Sequence, residues 1–84
     1  MEMLKNRLIE LVRLFEGQRD EYGNMTEKYE ENRIQRLAIE LELKETFGLG
    51  EKQIVKMQKY LMIKGELIPS EPYKKYVLKI KSNI

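Results

Sequence analysis

Leu4, Leu8, Leu11 and Phe15 follow one another at steps of four, three and four, and this spacing constrains the chain more than any other feature. At ~100° per residue such steps draw one apolar stripe along a helix, here widened by Val12. Arg7, Glu10 and Arg13 take the other side, and Gly17 reads as a left-handed stop. A helix is predicted over residues 2–16, in a first unit spanning 1–17. One stripe cannot bury itself, so the fold depends on what the rest of the chain lays against it. With 84 residues and no Cys, a single modest core without disulfides is the available solution. Residues 1–84 are read as one domain.

The polar, glycine-containing "GQRDEYGN" is a loop, and Asn24 with Glu27 has the spacing of a capping box. A second helical region follows over 24–48, with Ile34, Leu37, Ala38 and Leu41 sharing a face and Gly48 at its end. Leu37, Ile39, Leu41 and Leu43 also alternate as a strand would, but Ala, Leu, Glu and Lys dominate and favour helix. The third segment, 50–65, runs from Glu51 to Lys64 between Gly50 and Gly65. Ile54, Met57 and Leu61 form its apolar face, and Lys52, Lys56 and Lys59 lie opposite, flanked by Gln53 and Tyr60.

Glu66-Leu67-Ile68 then reads as a short strand, Ser70-Glu71-Pro72 as a turn, and Tyr73 to Ile80 as a return strand. Alternation sets Tyr76, Leu78 and Ile80 on one face and Lys75, Val77 and Lys79 on the other. The predicted class is α+β, mainly helical: three main helices followed by a C-terminal hairpin over 66–81. The core is expected from Leu4, Leu8, Leu11, Phe15, Leu37, Leu41, Ile54, Leu61, Leu67, Tyr76 and Leu78. Ile9 and Leu14 lie off the main stripe of the first helix, either as single exposed apolar residues, the commoner case, or as a second contact surface through which a homodimer would form.

Composition excludes much chemistry. Without Cys or His there is no thiol nucleophile, no imidazole base and no soft metal-ligand set. "GLG" at Gly48 to Gly50 is too short for a nucleotide-binding fingerprint. The chain is read as a non-enzyme without metal or cofactor. No apolar run approaches the ~20 residues that span a bilayer, and the charged start is unlike a signal peptide. A cytoplasmic protein without a membrane partner is expected. The wealth of Lys, Glu and Ile leans towards a thermophile.

Charge is divided unevenly. Residues 1–51 carry 8 basic against 12 acidic side chains, and residues 52–84 carry 8 lysines against Glu66 and Glu71, so −4 is followed by +6. A basic half on an acidic half points to a polyanion engaged from one end.

The order helix, helix, helix, basic hairpin resembles a winged helix-turn-helix domain. The likeness is carried by residues 51–80, where a helix runs into "KGELIP" and a proline-bracketed turn precedes "YKKYVLKI". This tail is similar to the C-terminal winged-helix domain of archaeal minichromosome-maintenance helicases. The resemblance implies a recognition helix over 50–65 and a wing over 66–81, acting on double-stranded DNA in transcription regulation or replication. By charge and exposure, the nucleic-acid-binding residues are then Lys52, Lys56 and Lys59 on phosphates, Gln53 and Tyr60 near bases, and Lys74, Lys75 and Lys79 from the wing. The alternative is a protein-interaction winged helix with little DNA affinity. The absence of Arg from residues 52–84 favours it, because bidentate reading of guanine prefers Arg.

Overall fold

Three helices account for most of the architecture: α1 (Glu2–Glu16), α2 (Tyr29–Phe47) and α3 (Glu51–Ile63). The computed structural model describes residues 2–71. α1 is the central element; its predicted span is found, and so is its stripe except at Phe15, which is half-buried and lies outside the core. Leu4, Leu8, Leu11 and Val12 are buried, and α2 and α3 each pack against them. Ile9 and Leu14 are half-buried and also pack on the core.

Gly17 is not the left-handed stop its position suggests, since positive φ among the glycines occurs at Gly23, Gly48 and Gly65. Its reason for being glycine is close approach. A Cβ there would stand 2.6 Å from Asn32 Nδ2, nearer than such atoms tolerate. The following loop is organised by Asp20, whose carboxylate accepts from the backbone N–H of Tyr22 and of Asn24 at 2.9 Å each. The buried Gln18 ties it to α2 through Nε2 donating to the Tyr29 carbonyl at 3.2 Å.

The expected capping box at Asn24 and Glu27 is not formed. Asn24 is drawn into the Asp20 turn, and α2 begins five residues later at Tyr29, preceded by Lys28 without a side-chain cap. From there α2 is an unbroken helix of 19 residues ending at Gly48 in the left-handed conformation, φ +67°, as its sequence predicts.

The inward face of α2 is the main departure from expectation. Ile39 and Leu43 are buried, whereas Leu37 and Leu41 are 52% and 55% exposed and Ile34 is exposed as well. The physical reason lies in the polar residues one and two turns earlier. Asn32 is buried and its Nδ2 donates to the Leu14 carbonyl at 3.0 Å, one of the four carbonyls that α1 leaves unpaired at its C-terminus. Arg36 donates from Nη1 to Gln18 Oε1 at 2.6 Å and lays its guanidinium over the Phe15 ring, 4.8 Å from the centroid. Arg7 bonds Glu42 at 3.2 Å further along. These partners rotate α2 so that 32, 36, 39 and 43 face α1.

Only Gly48, Leu49 and Gly50 separate α2 from α3, a turn of helix-turn-helix length. α3 buries Ile54, Gln58 and Leu61, with Met57 half-buried. Gln58 was not foreseen as an inward residue. Its Nε2 donates to the Leu8 carbonyl at 3.2 Å, so the amide is satisfied against the middle of α1.

After α3 the chain turns back along α1. Leu67 is 1% exposed, Glu66 pairs with Lys5 at 3.4 Å, and Arg13 donates to the Ile68 carbonyl at 3.0 Å. Glu66–Ile68, expected as the first wing strand, is not a strand. The amides of Glu66 and Leu67 both donate to the Leu61 carbonyl, at 2.9 and 3.2 Å, so they are committed to the helix end and not to a neighbouring strand. The described residues are therefore mainly helical, and their β-pairing is limited to an isolated bridge between Arg19 and Met25. The expected turn beyond Glu71 and the return strand Tyr73 to Ile80, with Tyr76 and Leu78, lie outside the described residues.

Candidate nucleic-acid interface

Burying Ile54, Gln58 and Leu61 fixes which way α3 faces. At ~100° per residue, Lys52, Lys56 and Lys59 then fall within about 60° of one another on the outward side. Lys52 and Lys56 are exposed and Lys59 is half-buried. None of the three has a carboxylate partner among the described residues. By contrast, Lys5, Arg7, Arg13, Arg33 and Arg36 are all engaged with glutamates. The cations of α1 are thus all paired with glutamates within the molecule, whereas Lys52, Lys56 and Lys59 remain available to an external anion.

The other two predicted contact residues on α3 differ in freedom. Gln53 is exposed, but its Oε1 accepts from the Gly50 N–H at 2.6 Å, closing the first turn of α3. Half of a capping box thus occupies the side chain assigned to base edges. Tyr60 is 58% exposed, with the Lys64 ammonium 5.2 Å from its ring centroid. Lys64 was not among the expected contacts. Its position four residues after Tyr60 is the signal that would have found it. Lys74, Lys75 and Lys79 lie outside the described residues.

Two clefts flank α3. One, of about 430 Å³, opens between the start of α1 and α3, with Leu4, Leu8, Met57, Leu61 and Tyr60 forming its apolar walls. Glu2, Lys5, Lys56 and Glu66 stand around it. The other, of about 440 Å³, lies between α2 and α3, with Leu11, Phe15 and Ile54 among its lining. The exposed Leu37 and Leu41 form part of this second cleft, so the outward stripe of α2 runs into it. Sequence reasoning placed these two leucines in the core and missed the surface they create.

Among the described residues no group of three or more acidic, Cys or His side chains is placed to hold a metal ion, and no helix is long and apolar enough to cross a membrane. In comparisons with known proteins, no family model, curated protein or solved structure matches the chain.

Proposed function

We propose that this chain is a nucleic-acid-binding module that engages double-stranded DNA through the outward side of α3, in transcription regulation or replication. The observation that carries the reading is the unpartnered lysine set Lys52, Lys56 and Lys59, presented on one side of a helix that follows α2 by a three-residue turn. Phosphates are the natural occupants of such a set: lysine supplies a point charge without the planar fork that reads a guanine edge. Gln53 is occupied in capping, so binding by this face is expected to depend weakly on sequence. Lys74, Lys75 and Lys79 continue the positive charge along the chain, and a winged-helix arrangement would bring them to the flanking backbone.

Affinity measured on a duplex as salt is varied tests the reading. Three phosphate contacts predict log affinity falling with log salt at a slope of roughly −3. Lys56→Glu should reduce that slope by about 1 and weaken binding to all sequences alike. Absence of duplex binding at low salt would sink the proposal.

A second reading, a protein-interaction domain with little DNA affinity, is favoured by a different observation. Ile34, Leu37 and Leu41 are exposed in a row on α2 and lead into the α2–α3 cleft, the kind of contiguous apolar surface that partner proteins cover.

A further inference from the structure

Tyr60 stands between two features of the molecule that the phosphate reading does not use: the apolar cleft between α1 and α3, and the ammonium of Lys64. Resting on the nucleic-acid reading above, we infer that the cleft walled by Tyr60 and Met57 is a site for an unpaired nucleobase, so that the preferred ligand is duplex DNA carrying a single-stranded stretch.

The ring of Tyr60 is 58% exposed and forms one wall of a cavity of about 430 Å³ whose other walls are Leu4, Leu8, Met57 and Leu61. That volume falls within the ~300–1,000 Å³ range typical of small-ligand sites. The cleft is apolar and open, and it is built largely from side chains of two helices already fixed by the core. A nucleobase is a flat, weakly hydrated ligand that stacks on aromatic rings whatever its identity. Met57 supplies a polarisable thioether on the same wall as the ring.

The cations are disposed to match. Lys5 is paired with Glu66 at 3.4 Å, leaving Lys56 at the mouth of the cleft without a carboxylate partner among the described residues. Lys64 holds its ammonium 5.2 Å from the Tyr60 centroid. A base entering the cleft therefore has Lys56 available for its own phosphate and Lys64, beside Tyr60, for the next one. Bases inside a duplex are stacked on their neighbours and cannot offer a free face to the Tyr60 ring. Only a base freed from pairing can.

The test is fluorescence anisotropy at low salt on three probes: a blunt duplex, the same duplex with a short single-stranded extension, and that extended duplex with abasic sugars in the extension. The extended duplex should bind at least about fivefold more tightly than the blunt one, the lower end of what one stacked base contributes. The abasic extension keeps its phosphates and should lose the gain. Tyr60→Ala should abolish the gain, so that this variant binds extended and blunt duplexes equally, and Tyr60→Phe should retain it, because stacking does not need the hydroxyl. Equal affinity for blunt and extended probes overturns the base site and leaves the duplex proposal standing. So does a preference that survives Tyr60→Ala or the abasic extension. Failure of all three probes to bind overturns both.

Discussion

α2 and α3 are neighbours joined by three residues, and both pack on α1, yet only one of them wears its orientation openly. In α3 the expected apolar face is the inward one: Ile54 and Leu61 are buried and Met57 half-buried, joined by the polar Gln58, with the lysines outside. In α2 they separate, with Ile39 and Leu43 inside and Ile34, Leu37 and Leu41 outside. Apolar counting decides orientation when a helix is held mainly by its hydrophobic stripe. It fails when polar side chains at one end have a stronger claim. Asn32 and Arg36 make that claim, on a terminal carbonyl of α1 and on Gln18 and Phe15.

The largest effect expected from this contrast is in the core of α2. Leu43 is fully buried, and Leu43→Ala should cost about 2–5 kcal/mol. Leu41→Ala, two residues away, should stay within about 0.5 kcal/mol. Chemical denaturation of the two variants compares them directly, and equal losses would refute the assigned face of α2.

Next in size is the polar joint. Asn32→Ala removes the donor to Leu14, and Gly17→Ala forces a methyl into the place of the Asn32 amide. Each should cost about 1–3 kcal/mol. Because both act on one contact, the double variant should lose less than the sum of the two single losses. Strict additivity would show that the joint does not act as a unit.

At Gly48, with φ +67°, an Ala should cost about 1 kcal/mol because a side chain disfavours the left-handed conformation. Gly50, which caps α3 with a negative φ of −85°, has no such conformational requirement and should tolerate Ala better. Melting temperatures of the two variants would check the order.

The smallest effect is a pH dependence where the segment after α3 meets α1. Burial works against ionisation of Glu16, but hydrogen bonds from Arg13 and Ser70 outweigh it and hold the carboxyl below its ordinary range. A folded-state pKa below the unfolded one gives stability that is complete above the unfolded value and is lost as pH falls through the folded value. Glu16→Gln should therefore flatten the loss of stability on acidification and have its largest effect at neutral pH. A variant with an unchanged acid limb would show that Glu16 does not contribute to it.

How much of this was legible in the sequence follows from the same contrast. The span of α1 from Glu2 to Glu16, the start of α3 after Gly50 and the outward lysines were all readable, because each rests on periodicity or on a glycine. The inward roles of Asn32 and Gln58 were not, since each is a polar residue satisfied by a backbone carbonyl distant in sequence, at Leu14 and Leu8. No local pattern announces such a bond. Glu66–Ile68 misled for a related reason: a short apolar segment running into Pro69 fits the end of an edge strand, but the Leu61 carbonyl takes the amides of Glu66 and Leu67. At the candidate site, charge spacing identified Lys52, Lys56 and Lys59, whereas the capping of Gly50 by Gln53 and the approach of Lys64 to Tyr60 needed three-dimensional neighbours.

Titrating a ¹⁵N-labelled chain with a short duplex and following its amide resonances tests the central claim most directly, because both candidate surfaces are observed in one experiment. The account predicts salt-sensitive shifts clustered at Lys52, Lys56, Lys59 and Tyr60 on α3, with Ile34, Leu37 and Leu41 on α2 unmoved. Shifts confined to the α2 stripe, or no shifts at all at low salt, would contradict it.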